Sequence, residues 1–545
     1  MSSTSWRRSS TTGWSISSVL AALAVVIPVA MLASSILRPN AEVWSQQWST
    51  RLPGELVTTA LLLAGVAVGT IVLGAGLAWL VSAYEFPGRR TFGWMLILPF
   101  AMPSYILGFL TLSTFGRTGP IQDTWRSWFG LDAWFPSVES LGGAIIAFTL
   151  VLYPYVYLLS RAALRDQAAG AYHAARTLGA TPSEAARRVV LPLVRPAIAA
   201  GAAVVMMETL TDFATVQYFG VDTVSVGVFR IWRGTYDRDA ASELATLVLA
   251  FALLAIAFER VGRGRARFGQ SGGAAAGIER RPLTGWRGVV AAVLCGGVVL
   301  AAFIGPVVQL TVWAIREQTS DRGTPLIDEY PGYLWHSVQL VVITVVICTV
   351  VALVVANARR FGGSRITRLA SRAIAVGYAV PGPVVGIGVL LAAVALDQAL
   401  GSIGLGLPGF VATGSLLVLV YAYTVRFLAP GLSAVETGVG QVPEEMTASA
   451  RTLGAPPMET AWRVHLPLAK ASMFSAAVLV GVDALKELPI VLLLRPFGFD
   501  TLPVWVYNLA SESRYQQAAL PALSIIVVAL VPVFLLSRRL DRRQG

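Results

Sequence analysis

Long apolar runs, separated by short polar segments that are often rich in arginine, set the pattern of this sequence. A helix needs about 20 apolar residues to cross the hydrocarbon core of a bilayer. Strands of a closed barrel would alternate apolar and polar positions, which these runs do not do. The pattern therefore predicts twelve membrane-spanning helices in two sets of six. They are placed near 17–37, 55–83, 92–115, 140–163, 196–219 and 241–260, and near 288–314, 336–358, 371–396, 410–430, 470–494 and 515–537.

The composition excludes a soluble protein. Of 545 residues, 55% are hydrophobic and 13% are charged, whereas soluble domains carry about 25% charged residues. The net charge of +12 comes from arginines grouped between the apolar runs, which follows the positive-inside rule and does not indicate nucleic-acid binding. Cys295 and Cys348 lie within apolar runs, so we predict that they are packing residues rather than disulfide partners or metal ligands.

The arginine clusters also predict the orientation of the chain, because cytoplasmic loops retain Lys and Arg. Both termini are predicted to be cytoplasmic, and since each set has an even number of spans, the two sets are parallel. The first apolar run is longer than the core of a cleaved signal, so we predict a retained span. The clusters on the predicted cytoplasmic side are Arg7–Arg8, Arg89–Arg90, Arg161–Arg195, Arg260–Arg287, Arg359–Arg360, Arg451–Lys470 and Arg538–Arg543.

One polar segment occurs twice. His173–Pro192 (HAARTLGATPSEAARRVVLP) returns 275 positions later as Ala448–Pro467 (ASARTLGAPPMETAWRVHLP). A recurrence of this length in register predicts a tandem duplication. We place the first six-helix repeat at 1–262, a flexible linker rich in Gly and Arg at 263–286, and the second repeat at 287–545.

Each copy of this segment is predicted to form a helix, a turn and a second helix. Gly179 and Gly454 are placed to end the first helix. The prolines after them suit the first turn of a short amphipathic helix that ends at Pro192 or Pro467. Exposed charges on such a unit are suited to docking a soluble partner, and an ordinary charged loop is the alternative.

The repeated segment resembles the EAA loop of ABC importer permeases, in which Glu-Ala-Ala, a glycine and Leu-Pro recur at fixed spacing. Both copies match at the glycine and at Leu-Pro, but His173 or Ala448 replaces the glutamate, and Ser449 replaces the first alanine of the second copy. In the second half, Asp483–Pro489 (DALKELP) and Leu494–Leu502 (LRPFGFDTL) are similar to stretches of the ferric-iron branch of that family.

This resemblance implies an all-helical permease of the type I importer fold, fused from two halves, in a bacterial inner membrane. It implies two copies of an ATPase subunit that bind ATP and Mg²⁺, and a soluble binding protein that docks on loops 220–240 and 495–514. The chain contains no G-x-x-x-x-G-K-[ST] phosphate loop, so it is predicted to be a non-enzymatic subunit without a cofactor of its own. Thiamine or a phosphonate is the alternative to ferric iron as cargo. Contacts with the ATPase are expected at Arg176, Gly179, Glu184, Pro192, Arg451, Gly454, Glu459 and Pro467.

Charged side chains recur within the fifth apolar run of each half. Glu208 and Asp212 correspond to Asp483 and Glu487 at the repeat spacing, and Lys486 is added in the second half. The interval of four residues predicts that the two acids of a half share one face of a continuous helix. A charge at the centre of a membrane costs about 2.5–3.5 kcal/mol on insertion scales. These residues are therefore predicted to line a path for a hard cation, which prefers oxygen ligands, or to form ion pairs that hold the halves together.

Two further residue types in these runs predict local structure. Prolines in the third run of each half predict kinks, and tyrosines of the fourth run are predicted to anchor at the membrane interface. The prolines are Pro99, Pro103, Pro381 and Pro383, and the tyrosines are Tyr153, Tyr155, Tyr157, Tyr421 and Tyr423.

Two other functions compete with an ATP-driven permease. An ion-coupled secondary transporter also tolerates parallel repeats, but its cytoplasmic loops need no docking partner. A membrane-embedded enzyme would need a nucleophile and a base close together, and the sequence offers no such constellation.

Overall fold

The computed structural model describes residues 3–35, 41–235, 238–263, 280–319, 326–362, 364–377, 380–402 and 414–542, most of them helical. The α-helices of the first sequence repeat are Ser3–Ser35, Ala41–Thr50, Leu52–Thr70, Gly76–Ala83, Arg89–Met95, Ser104–Phe115, Pro120–Phe129, Leu141–Ala163, Ala169–Thr177, Pro182–Glu184, Leu191–Thr211, Phe213–Tyr218, Val224–Thr235 and Arg238–Arg263. Those of the second are Trp286–Val299, Gly305–Thr319, Leu326–Gly362, Arg365–Gly377, Gly382–Ser402, Leu416–Gly440, Glu444–Thr452, Pro457–Thr460, Leu466–Lys486, Pro489–Leu494, Leu502–Ser511 and Ala519–Arg542.

Wider π-helical turns and one short 3₁₀ helix interrupt these helices. The π turns are Ile71–Ala75, Leu164–Ala168, Ala185–Val190, Leu300–Ile304 and Ala461–His465, and the 3₁₀ helix is Leu98–Ala101. Two strands of two residues each, Tyr84–Glu85 and Arg281–Pro282, pair in parallel.

The apolar helices make this a multi-pass, all-helical membrane protein. Within the described ranges, ten helices have the length and hydropathy of a membrane span, or eleven if the bent pair Arg89–Ala101 and Ser104–Phe129 counts as one. Ala519–Phe534, at the position of the last predicted span, is a shorter apolar helix. The count of twelve spans therefore stays a prediction.

The third span of the first repeat is broken, as its prolines predicted. The helices on the two sides of Pro103 meet at 93°. Tyr153 and Tyr157 are fully buried, and their hydroxyls donate to the carbonyl oxygens of Leu96 (2.8 Å) and Gly93 (2.9 Å) near this break. Their predicted role as interfacial anchors is wrong, because a broken helix leaves carbonyl groups that must find donors inside the protein.

The other tyrosines of the fourth spans are also internal donors or packing groups. The hydroxyl of buried Tyr423 donates to the carbonyl of Glu487 (3.3 Å), and that of Tyr421 donates to the carbonyl of Ala24 (2.6 Å). Tyr155 packs edge-on against Phe100, with ring centroids 4.9 Å apart. We conclude that these aromatic side chains stabilise the span breaks and helix contacts rather than the membrane boundary.

The described helices form two compact units, and each draws on both sequence repeats. One unit comprises 1–43, 231–249 and 324–505, and in it Ser3–Ser35 packs against three central helices of the second repeat. The other comprises 44–230, 250–323 and 506–545, and in it Gly305–Thr319 packs against Ala519–Arg542. The compact units therefore do not coincide with the sequence repeats.

The end of the predicted linker is ordered. Residues 264–279 lie outside the described residues, but Arg281 and Pro282 pair with Tyr84 and Glu85, and the Leu283 amide donates to the Glu85 carbonyl at 2.8 Å. Residues 281–283 of the predicted linker therefore contact residues 84–85, and the linker bounds of 263–286 stay a prediction.

Candidate functional site

The first copy of the repeated segment folds as a tight helix–turn–helix. The helix Ala169–Thr177 is followed by Gly179 in the left-handed conformation (φ +89°), which glycine adopts without steric penalty. The Ala180 amide donates back to Ala175 O at 3.0 Å. Gly179 thus ends the helix as the sequence predicted.

A capping box starts the next helix. The Glu184 amide donates to Thr181 Oγ1 (3.3 Å), and the Thr181 amide donates to Glu184 Oε2 (2.9 Å). Arg176 Nη1 donates to the carbonyl of Ala180. Arg176 and Glu184 therefore stabilise the turn within the chain. The partner contacts that the sequence predicted for them stay a prediction.

The second copy has the same backbone. The helix Glu444–Thr452 is followed by Gly454, again at φ +89°, and the Ala455 amide donates to Ala450 O at 3.1 Å. Pro456 stands at the cap position in place of a threonine and offers no side-chain acceptor. In this copy Arg451 is exposed, and Glu459 forms an ion pair with Arg463 (2.7 Å).

The second helix of each copy continues into the membrane without a break. Pro182–Thr211 and Pro457–Lys486 are each 30 residues long, so the prediction of a short helix that ends at Leu-Pro is wrong. The π turns Ala185–Val190 and Ala461–His465 lie directly before Pro192 and Pro467. A wide turn of this kind accommodates a proline ring and its missing amide within a helix. Each repeated segment is therefore joined to the fifth span by one continuous helix.

An exposed leucine lies at the apex of each copy. Leu178 and Leu453, the residues before the two glycines, are each 88% exposed. An isolated exposed leucine is ordinary, but here the same exposure occurs at equivalent positions of two repeats. The sequence contains a signal for these two leucines, because an apolar residue precedes the turn glycine in both copies.

A buried histidine ties the second copy to a membrane helix. His465 is fully buried; its Nδ1 lies 2.6 Å from Asn357 Oδ1 and its Nε2 lies 3.0 Å from Thr447 Oγ1. Asn357 belongs to the helix Leu326–Gly362 and Thr447 to the repeated segment. Val190 occupies the equivalent position in the first copy, so the link belongs to the second repeat.

The fifth span of the first repeat ends at its second acid. The helix stops at Thr211, and Asp212 is extended (φ −88°, ψ 95°). Its carboxylate accepts hydrogen bonds from the Thr215 amide (2.9 Å), the Thr215 hydroxyl (2.6 Å) and the Ser104 hydroxyl. The prediction that Glu208 and Asp212 share a face of a continuous helix is therefore wrong, because Asp212 caps the helix that follows.

The second repeat breaks at the equivalent residue. Glu487 is extended (φ −69°, ψ 118°), and its Oε1 accepts from the Ile490 amide at 3.2 Å. Ile490 follows Thr215 by the repeat spacing of 275, so the capping bond recurs. The prediction of a continuous helical face for Asp483 and Glu487 is wrong for the same reason.

The charged environments of the two breaks differ. Glu487 Oε2 lies 3.1 Å from Nε of Arg426, and both side chains are 5% exposed. Arg426 also donates to the Val380 carbonyl at 3.0 Å. Asp483 lies 3.7 Å from the Lys486 ammonium, whereas the donors to Asp212 are two hydroxyls and one amide, all uncharged.

These contacts separate the two roles predicted for the acids. Within the second repeat the positive charges of Arg426 and Lys486 balance the negative charges of Asp483 and Glu487. This balance supports structural ion pairing there. All four residues belong to the second repeat, so these contacts do not join the two halves. The role of Glu208, Asp212, Asp483, Lys486 and Glu487 in lining a path stays a prediction, since an ion pair can also line a path. Sequence reasoning missed Arg426, a single cation within the apolar helix Leu416–Gly440.

Both halves of the chain are similar to known transport proteins. The family model described as binding-protein-dependent transport system inner membrane component matches residues 70–261 and 349–545. An Fe(3+)-transport system permease protein of Haemophilus influenzae is 24% identical over 492 residues, 90% of this chain and 90% of that protein. A ferric transport system permease protein of Actinobacillus pleuropneumoniae is 23% identical over 505 residues, 88% of this chain and 70% of that protein. A sulfate transport system permease protein of Escherichia coli is 28% identical over 242 residues, 43% of this chain and 84% of that protein.

Proposed function

The chain belongs to the family of inner-membrane components of binding-protein-dependent transport systems, and on that premise we propose that it is the permease subunit of an ATP-driven importer. In this proposal it forms the translocation path and does not hydrolyse ATP itself. It spans the bacterial inner membrane twelve times as two parallel six-helix repeats of type I architecture, with both termini in the cytoplasm. Two ATPase subunits, which bind ATP and Mg²⁺, and one soluble binding protein complete the transporter.

The observation that carries this proposal is the recurrence of the helix–turn–helix around Gly179 and Gly454. Both copies have the same φ value at the glycine, the same exposure of the preceding leucine and the same continuation into a 30-residue helix. A surface that is repeated with this fidelity fits a partner that binds twice. Two copies of an ATPase subunit meet that requirement. We call the repeated segments His173–Pro192 and Ala448–Pro467 the coupling segments.

The proposed mechanism follows from the continuity of these helices. When the two ATPases bind ATP and close, each pulls on one coupling segment. Because each segment continues into a fifth span, the movement reaches Asp212 and Glu487, where the spans break. In this proposal the path changes its accessibility from the outer to the inner side at these breaks, and the acids of the two fifth spans line it there.

Ferric iron is the proposed cargo. Two relatives that align with most of this chain are named for iron transport, and the second half carries the DALKELP and LRPFGFDTL stretches that suggested iron from sequence. The alternatives are thiamine, a phosphonate or sulfate, the last because a sulfate permease aligns with one half of the chain.

The cargo is tested by uptake into proteoliposomes that contain this chain, the ATPase subunit of its system and internal ATP. The soluble binding protein of the system is supplied with ferric iron, thiamine, 2-aminoethylphosphonate or sulfate, and the accumulation of each is measured. We expect ATP-dependent accumulation of iron alone. Accumulation of another compound would replace the cargo and keep the architecture, whereas uptake driven by an ion gradient without ATP would identify a secondary transporter.

A further inference from the structure

A short loop follows the fifth-span break of the second repeat and carries one fully exposed aromatic ring. It connects the helices Pro489–Leu494 and Leu502–Ser511. The Phe499 amide donates to the Pro496 carbonyl at 3.1 Å, and Gly498 has φ +76°, so residues 496–499 form a turn in which glycine takes the position that needs positive φ. Phe497, the residue before this glycine, is 110% exposed.

The loop is fixed at both ends. Arg495 and Asp500 form an ion pair across it. His336 Nδ1 donates to the Asp500 carbonyl at 3.0 Å, and the His336 ring stacks on that of Phe499 with centroids 4.5 Å apart. The Leu502 amide donates to Ser337 Oγ at 2.8 Å. These contacts hold the turn against the helix Leu326–Gly362, so the Phe497 ring projects from a rigid support.

The first repeat contains the same loop with its phenylalanine buried. Phe219-Gly220-Val221-Asp222-Thr223 corresponds to Phe497-Gly498-Phe499-Asp500-Thr501. Gly220 also has positive φ (+65°), and the Val224 amide donates to Thr59 Oγ1 (3.1 Å) as the Leu502 amide does to Ser337. Yet the Phe219 side chain is only 1% exposed. The shared backbone is therefore compatible with a buried phenylalanine at this position.

The difference has a cause in the sequence. Four positions separate Thr215 from Phe219, and seven separate the equivalent Ile490 from Phe497. The three added residues lengthen the loop and lift Phe497 away from the helices. A rigid aromatic ring loses little conformational freedom on binding, which makes such residues efficient anchors in protein interfaces.

The side of the membrane follows from the fifth span. The coupling segment of the second repeat lies at the N-terminal end of Pro457–Lys486, and the Phe497 loop follows its C-terminal end. A 30-residue helix is about 45 Å long, which exceeds the bilayer core of about 30 Å. If the coupling segment is cytoplasmic, the loop faces the outer side.

We propose that Phe497 is the anchor by which this permease holds its soluble binding protein, inserting into an apolar pocket on that protein. The proposal rests on the function proposed above. A lipid interface fits less well, because interfacial anchors occur as belts of Trp and Tyr. Phe497 instead lies between Pro496 and the exposed Gly498, and the ion pair of Arg495 and Asp500 lies at the ends of the loop.

The test compares binding of the iron-loaded binding protein to the complete transporter in nanodiscs, with Phe497→Ala against the parent chain. We expect the affinity to fall about 10- to 100-fold, as for the loss of one buried aromatic anchor. ATP hydrolysis without binding protein and the thermal stability of the complex should stay unchanged, because the ring packs against nothing in its own loop. Phe129→Ala is the control, since Phe129 is 60% exposed and lies between the predicted spans 92–115 and 140–163, away from the arginine clusters of the predicted cytoplasmic side. The affinity of this variant should equal that of the parent.

Two results would overturn the proposal in distinguishable ways. If the parent transporter binds the loaded protein and Phe497→Ala binds it equally well, the anchor lies elsewhere and the proposed function stands. If the parent binds the soluble protein of its system in no form, whether loaded with ferric iron, thiamine, 2-aminoethylphosphonate or sulfate, and its ATP hydrolysis responds to none of them, the importer function fails together with the anchor.

Discussion

Replacing Glu487 by glutamine is expected to lower the free energy of unfolding by about 3–5 kcal/mol, because it leaves the Arg426 guanidinium buried without its counter-charge. The measurement is the thermal unfolding of the purified chain in detergent, together with the yield of folded protein. The double variant Glu487→Gln with Arg426→Met should recover most of the loss, since it removes both charges at once.

Asp212→Asn is the matched control for this prediction. Asparagine caps helices as well as aspartate does, and the donors to Asp212 are uncharged groups of Ser104 and Thr215. The stability of this variant should therefore stay within about 1 kcal/mol of the parent, while uptake is lost if Asp212 meets the cargo. Equal destabilisation by the two single variants would contradict the assignment of a structural ion pair to the second repeat alone.

Replacing Leu178 and Leu453 by aspartate is expected to detach the ATPase subunits. Burying one exposed leucine contributes about 1.5–3 kcal/mol, so each substitution should weaken binding about 10- to 100-fold. Both side chains are 88% exposed, and the chain itself should therefore fold normally. The measurement is the amount of ATPase that co-purifies with the chain from membranes.

Leu131→Asp controls for the effect of a charge in place of an exposed leucine, since Leu131 is 84% exposed and lies between the predicted spans 92–115 and 140–163, away from the arginine clusters of the predicted cytoplasmic side. Co-purification of the ATPase should be unaffected by this change. Full co-purification with the double variant Leu178→Asp and Leu453→Asp would show that the repeated segments are not the docking surface.

The parts of the fold that the sequence predicted are those that repeat or depend on bulk hydropathy. Gly179 recurs as Gly454, and the left-handed conformation of both glycines confirms the prediction that each ends a helix. The apolar runs located the spans because a membrane imposes a minimum length on them. Pro103 likewise signalled the break of the third span.

The break at Asp212 could not be predicted in the same way. The sequence around it, METLTDFATV, contains neither glycine nor proline, so nothing in local propensity ends the helix there. The cause is the carboxylate, which replaces a helical hydrogen bond by capping the Thr215 amide. A capping residue has this effect only where neighbouring elements, here Ser104, hold its side chain.

Arg426 escaped prediction because its significance lies in a contact across the fold. The fourth spans begin with equivalent caps, Ser140 and Ser415, and at that spacing Val151 takes the place of Arg426 in the first repeat. The first repeat therefore has no equivalent cation that would have marked this position as significant. Only the three-dimensional structure places the guanidinium beside Glu487 and so shows that this acid forms an ion pair.

ATP hydrolysis by the transporter reconstituted in lipid tests the central claim most directly. The ATPase subunit of the system is assayed with this chain, without it, and with the double variant Leu178→Asp and Leu453→Asp, each with and without the iron-loaded binding protein. The account predicts that the loaded protein stimulates hydrolysis only when the unaltered chain is present. Hydrolysis that is the same with and without the chain, whatever the binding protein carries, would contradict it.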